Sequence, residues 1–472
     1  MLTDRLIGSA VAWTTRQLRK RAAYSAANPY LEGPYAPVTR EVTETRLQVR
    51  GTVPRELNGI FARIGPNPMK VDNPAVYHWF VGDGMVHGLR LREGAALWYR
   101  NRWVGTDSVN RQLGRPPAAG QRHGAGGDTV NTNVIGHDGR LWALVEAGAL
   151  PVELDHDLNT IRHGYFASSV AQAFTAHPHR DPATGELHAV CYDALSRTQV
   201  RYVVIGPHGA VTRDVAIPVR HGPMIHDCAI TARYVLIFDL PITFSFGALL
   251  RGRFPYRWNP RHPARVGLLP RTAPASALRW FEIDPCYVFH AANAYDLDDG
   301  GVVVDVVTYP RLFDRSKQGL ESSTTHFERW RLDPTSSAVA RKTLSDDKQE
   351  FPRCDERRTG SPYRYAYTVG LDVEHAGTQP LYRHDLHTGV TVRHDFGAHH
   401  MPSEAVFVPR SAQAPEGDGW LLAYVLDLQE SRSSMVILNA QDPGGAPQAI
   451  IELPVRVPLG FHGNWIADAD TP

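Results

Sequence analysis

Short runs of β-branched and aromatic residues alternate along most of the chain with clusters of glycine, proline and aspartate, a rhythm that predicts strands joined by tight turns. Tyr234-Val-Leu-Ile-Phe-Asp239 has the pattern of a buried strand, and Gly301-Val-Val-Val-Asp-Val-Val307 is a second such run. Turn signals recur at Asp138-Gly139, Pro207-His-Gly209, Asp299-Gly-Gly301 and His387-Thr-Gly389. The first strands are expected near Glu44. Ahead of them Asn28-Pro-Tyr-Leu-Glu-Gly-Pro-Tyr-Ala-Pro37 is too rich in proline for a helix and is expected to be extended. Residues 4 to 23 break the β rhythm. With Asp4 as N-cap and Leu6, Ile7, Ala10, Trp13 and Leu18 on one stripe beside basic residues, they predict an amphipathic helix that either packs on the body or lies on a lipid surface.

The pattern is all-β, and composition sharpens it. A length of 472 residues alone suggests about three domains, but closed β architectures exceed that size as single units. The 40 glycines and 35 prolines are spread evenly, and no apolar-poor linker or like-charge block invites a cut. The expected organisation is a helical extension over residues 1–27 and one domain over 28–472. With 50 Lys and Arg against 49 Asp and Glu, the net charge of +1 excludes an electrostatic footprint for nucleic acid. The cysteines, Cys191, Cys228, Cys286 and Cys354, form no CxxC pair and suggest a reducing compartment, hence a cytoplasmic protein. No window approaches the roughly 18 apolar residues of a membrane span, so the protein is expected to be soluble or peripheral.

Four of the 22 histidines stand apart from the rest. His177, in Phe174-Thr-Ala-His177-Pro-His-Arg-Asp181-Pro-Ala-Thr-Gly185, is predicted to end a strand beside a turn made by Asp181-Pro182 and Thr184-Gly185. His226, in Met224-Ile-His226-Asp227, His290, in Cys286-Tyr-Val-Phe-His290, and His462, in Leu459-Gly-Phe-His462-Gly463, each lie beside an apolar stretch. A lone histidine is more often a structural residue than a ligand. Recurrence of one arrangement changes that balance, and since the four are too far apart for a local metal knuckle they must converge through the fold.

The segment Gly51-Thr-Val-Pro-Arg-Glu-Leu-Asn-Gly-Ile-Phe-Ala-Arg63-Ile-Gly-Pro-Asn-Pro68 is followed by His78-Trp-Phe-Val-Gly-Asp-Gly-Met-Val-His87 and by Gly136-His-Asp-Gly-Arg-Leu-Trp-Ala-Leu-Val-Glu146. With the four histidine segments, these resemble the carotenoid cleavage oxygenases, in family order from about Asn28 to the end. The resemblance implies a seven-bladed β-propeller with a helical and loop cap over an axial Fe(II) held by His177, His226, His290 and His462. A propeller suits this independently, because every blade points an inner strand at one axis. Zinc is the runner-up for a histidine cluster, but it usually recruits thiolate or carboxylate, whereas four neutral imidazoles with no anionic ligand suit ferrous iron. Ligating imidazoles need the second ring nitrogen anchored. By the same resemblance Glu146, Glu350 and Glu404 anchor His226, His290 and His462, leaving His177 to a carbonyl or water; their apolar neighbours suggest burial.

The implied activity is cleavage of one conjugated C=C bond of a carotenoid or apocarotenoid by O2, giving aldehyde or ketone products. Phe61, Trp79, Trp103, Phe289 and Phe461 are candidates for the wall of an apolar substrate tunnel, with packing in the core as the alternative for each. Thr132 resembles a threonine that restricts one open position at the iron. Stilbene and phenylpropanoid cleavage is the main alternative within the family, but its phenol-binding lysine is replaced by Val145 and its tyrosine position matches Trp103, a departure that favours an apolar polyene. Retinoid isomerohydrolases share the ligands, and a non-catalytic lipid-binding propeller is a further alternative that retention of all seven site residues disfavours. Residues 244–258 mix bulky apolar side chains with arginine, so they and residues 4–23 are expected either to meet a membrane surface or to pack on the body.

Overall fold

Asp138 and Gly139 both take left-handed backbone, with φ of 50° and 69°, and join Asn133–His137 to Arg140–Leu144 in the two-residue turn whose twist matches that of paired strands. The other turn signals act likewise: residues 207–209 link Ser196–Ile205 to Val211–Pro218, 299–301 link Tyr287–Asp296 to Val302–Tyr309, and 387–389 link Leu381–Asp385 to Val390–His394. In the computed structural model, which describes residues 24–123, 127–167, 173–316, 320, 324–371 and 379–468, these hairpins build a seven-bladed β-propeller. The helix expected over residues 4–23 lies outside the described residues.

From the axis outward, the first blade consists of Gly463–Ala467, Gly59–Pro66, Gly84–Arg92, Ala95–Trp103 and Val42–Glu44. The second, third and fourth blades begin with Asn133–His137, His179–Arg180 and Cys228–Ile230, and the fifth and sixth with Tyr287–Asp296 and Gln349–Cys354. In the seventh, His400–Pro402 and Val406–Pro409 both pair with Gly419–Asp427, and Val49–Gly51 forms the outer edge. The ring is therefore closed twice, once by a late strand in the first blade and once by an early strand in the last. Apolar side chains fill the spaces between blades. Phe61 meets Tyr424 edge-on at 5.0 Å between the first and seventh blades, and Phe238 meets Trp330 between the fourth and fifth.

Several expectations are corrected here. Phe61 is fully buried in that interblade layer rather than in a tunnel wall. Trp103 packs on Met85 and Val109, and its indole N–H donates to the Asn67 carbonyl at 2.9 Å, so it too is core. Residues 28–37 are not extended throughout. They form two 3₁₀ turns, Pro29–Leu31 and Gly33–Tyr35, each with a proline in its first two positions, where the missing N–H costs nothing. Buried Asn28 pins this segment, its amide donating to the carbonyls of Pro74 and Tyr77. His177 precedes rather than ends a strand, standing two residues before His179–Arg180.

Residues 244–258 form a hairpin, Ile242–Phe244 against Tyr256–Trp258, with a short helix, Phe246–Leu250, at its tip. Phe246 and Leu250 are exposed, while Tyr256 is buried, so the segment divides its apolar surface between solvent and interior. Among the described residues no helix is long and apolar enough to cross a membrane. The four cysteines are buried and unpaired.

Burial inside the blades also sets a pH response. Desolvation pushes His87 and His188 down to about 3, with Arg63 and Arg271 adding to it, and pushes His137 and His384 down to about 4. Each is neutral in the native protein and titrates near 6.5 when unfolded. Between about pH 6.5 and 4 the unfolded chain binds protons that the native state refuses, so stability is full above that window and falls as pH drops through it, by up to about 1.4 kcal/mol per pH unit for each histidine. His179 and His290, raised by carboxylate neighbours that outweigh burial, oppose the trend but are fewer. Thermal unfolding followed from pH 7.5 to 5 is expected to show a steadily falling midpoint; a flat profile would contradict this assignment.

Candidate metal centre

Every blade sends one charged or imidazole side chain to the axis. His462, Glu146, His177, His226, His290, Glu350 and Glu404 come from blades one, two, three, four, five, six and seven in that order. The histidines sit where their inner strands begin or deform. His226 lies two residues before Cys228–Ile230, and His462 immediately precedes Gly463–Ala467 with its N–H donating to the Thr132 carbonyl at 3.1 Å. His290 falls at a break in the pairing register of Tyr287–Asp296, a local bulge of the kind that re-aims a side chain.

All four histidines are buried, and one ring nitrogen from each lies within 4.8 Å of the others. Nε2 of His226 is 3.2 Å from Nε2 of His290. Nε2 of His177 is buried with no hydrogen-bond partner among the described residues. The opposite ring nitrogens face carboxylates. Nδ1 of His290 lies 2.7 Å from Glu350 Oε2 and Nδ1 of His462 lies 3.1 Å from Glu404 Oε1; the ring donates in both, since an ionised carboxylate only accepts. Nδ1 of His226 is 2.7 Å from Glu146 Oε2, a close ion-pair contact that lies off the line of an N–H···O bond. His177 has no carboxylate partner among the described residues; its own N–H donates to Thr175 Oγ1.

This donor set fits a divalent transition-metal ion. Burial and the neighbouring rings push His177 well below its ordinary range, and burial holds His462 at about 4, so both present neutral lone pairs. His290 shifts upward instead: burial lowers it, but Glu350, Asp227 and Glu404 together outweigh burial. Glu404 is held at about 2 against the effect of burial, chiefly by Arg353 and then by His462. Arg353 Nη1 lies 3.2 Å from Glu404 Oε1, and Glu404 Oε2 accepts the Gly463 N–H. Four converging imidazoles, three of them backed by carboxylates, make a donor set of the kind that holds such an ion.

The cluster separates two cavities of contrasting chemistry. One, of about 640 Å³, is mostly apolar and is lined by Trp79, Phe289 and Phe461 and by Thr132 and Val145. Phe289 lies edge-on to His226 at 5.0 Å. Tyr30, Tyr35, Phe254 and Phe351 also line it. Phe254 lies in the apolar segment 244–258 that the sequence marks, and Phe351 stands next to Glu350: its ring lies 5.5 Å from His290 and 5.4 Å from His462, on a left-handed backbone with φ of 55°. The other cavity, of about 460 Å³, is polar and is reached by His179, Asp227, Arg353 and Glu356 as well as by His177, His290 and His462. Here a second trio of potential ligand atoms, from His179, Asp227 and Cys228, lies beside the first cluster, but Asp227 already bonds His179 at 2.8 Å.

The profile of the retinal pigment epithelial membrane protein family matches residues 35–467. The chain is 41% identical over 494 aligned positions to the carotenoid cleavage oxygenase of Mycobacterium tuberculosis, covering 94% of this chain and 98% of that one. Its fold is similar to the crystal structure of the Pseudomonas brassicacearum lignostilbene dioxygenase, with a TM-score of 0.83, 29% identity and coverage of 94% and 100%. It is equally similar to a variant of the Synechocystis apocarotenoid oxygenase, with a TM-score of 0.83, 26% identity and coverage of 92% and 98%.

Proposed function

The chain belongs to the retinal pigment epithelial membrane protein family, which includes the carotenoid cleavage oxygenases, and from that premise we propose that it is an Fe(II)-dependent dioxygenase that cleaves one conjugated C=C bond of a carotenoid or apocarotenoid. The observation that carries this is the convergence of four imidazoles, three of which line a large apolar cavity. His177, His226, His290 and His462 would hold the iron, while Glu146, Glu350 and Glu404 fix the ring orientations. When bound, the iron supplies the capacity to activate O2. One C=C bond and one O2 become two C=O groups, so both oxygen atoms are consumed and no reductant is needed.

The rest is positioning. The aromatic wall excludes water and accepts a flat, rigid polyene, and the depth to which that chain enters decides which double bond lies beside the histidines. Phe289 and Phe351 press against the imidazoles and confine the polyene there. Val145 in the cavity wall, where a phenol-binding lysine would stand, supports an apolar substrate over a hydroxystilbene. Exposed Phe246 and Leu250, on the hairpin whose Tyr256 lines the cavity, support contact with a lipid surface near the entrance, and the unpaired thiols support a cytoplasmic setting.

Purified protein reconstituted anaerobically with Fe(II) and given O2 with a panel of carotenoids, apocarotenoids and hydroxystilbenes is expected to yield two carbonyl fragments from a polyene, and only when iron is present. Turnover confined to stilbenes would overturn the polyene assignment. Iron-dependent isomerisation without cleavage would overturn the oxygenase reading.

A further inference from the structure

Asp227 has a place in the fold that none of the roles above requires. It is 4% exposed and accepts three hydrogen bonds from three directions. Its Oδ1 takes the Cys228 N–H at 2.7 Å and His179 Nε2 at 2.8 Å, and its Oδ2 takes the Ala291 N–H at 2.9 Å. The donors belong to the third, fourth and fifth blades, and each is a near neighbour of a candidate ligand in sequence. His179 is two residues from His177, Asp227 itself follows His226, and Ala291 follows His290. One carboxylate thus ties together the backbones that carry three of the four histidines. For His177 the tie matters most, since it has no glutamate of its own, and Pro178, with its fixed φ, makes the link between His177 and His179 stiff.

We propose that Asp227 is a positioning residue of the metal centre, a fourth carboxylate that sets the spacing of His177, His226 and His290 through His179 and Ala291. It lines the polar cavity and not the apolar one, so it acts without touching substrate. Its bonds are filled by His179 and two backbone N–H groups, which makes the trio of His179, Asp227 and Cys228 a brace and not a second metal site.

The inference rests on the reading of the four histidines as metal ligands, and its test separates the two. Full-length protein stripped with chelator is titrated with Co(II) alone, following the visible bands. Asp227→Asn puts an NH2 group where one of the three donors needs an acceptor, and is expected to weaken Co(II) binding roughly 10–100-fold and to shift the bands. Asp239→Asn is the control. It breaks another buried carboxylate-histidine pair in the same blade, Asp239 with His262 at 2.8 Å, away from the centre, and is expected to lower stability while leaving Co(II) affinity and spectrum unchanged. Wild-type affinity and spectrum in Asp227→Asn, or a loss no greater than in Asp239→Asn, overturns the proposal. If Asp227→Asn does not fold, His179→Gln decides, since it loosens only the tie to the third blade: unchanged Co(II) binding there also overturns it. Failure of the wild-type protein to bind Co(II) overturns the reading of the centre itself.

Discussion

His290→Ala is expected to abolish both metal retention and turnover while the propeller still folds. Its ring sits within 5.1 Å, centroid to centroid, of the other three histidines, and its Nε2 is the one paired at close range with another Nε2. Alanine at this position removes a direct donor and also leaves Glu350 without the imidazole that balances its buried charge. Loss of an outer partner of a ligand typically costs 10–100-fold in metal affinity, so loss of the ligand itself is expected to exceed about 100-fold. Elemental analysis after iron loading, beside a circular dichroism spectrum, checks both halves of the statement. A folded variant with full iron and full activity would remove His290 from the centre.

Glu404→Ala is expected to be the most damaging change to stability among the three glutamates. Glu404 receives His462 Nδ1, the Gly463 N–H and the Arg353 guanidinium together. Its removal leaves the Arg353 charge in the polar cavity with Glu356, Asn464 and the Gly463 carbonyl to face it. Breaking a buried pair from one side costs about 3–5 kcal/mol, and the loosened His462 should weaken metal binding by roughly 10–100-fold as well. Denaturant unfolding of the metal-free protein reads the first effect and metal titration the second. Glu146→Ala is the comparison, because Glu146 faces His226 with no arginine paired to it among the described residues, and its stability cost should be clearly smaller.

How much of this was legible beforehand depends on whether a residue's role is local. Asp138-Gly139 announces its hairpin because a two-residue turn needs left-handed backbone, and the four histidines were conspicuous because each stands beside an apolar strand. Phe61 and Trp103 were misplaced for a reason built into propellers. Strands buried on both faces lose the period-two alternation that tells one face from the other, and Gly59–Pro66 is buried along nearly its whole length. Tyr30 and Tyr35 were missed because a proline-rich stretch suggests an extended tail, whereas two 3₁₀ turns and the Asn28 anchor fold it against the cavity. The sevenfold repeat was hidden as well. Blades differ in strand length, and the hairpin over residues 242–258 interrupts the fourth between its second and third strands. Asp227 drew no notice because its partners lie in three blades and nothing in its immediate neighbours marks a hub.

The double closure of the ring bears on how the protein is made. Strand Gly463–Ala467 completes the first blade, and His462 arrives with it, so a ribosome has synthesised six other site residues before the seventh exists. Until that segment has left the exit tunnel, Gly59–Pro66 has no inner partner and the three earlier histidines have no fourth. Closure of the ring and completion of the four-histidine cluster are therefore one event.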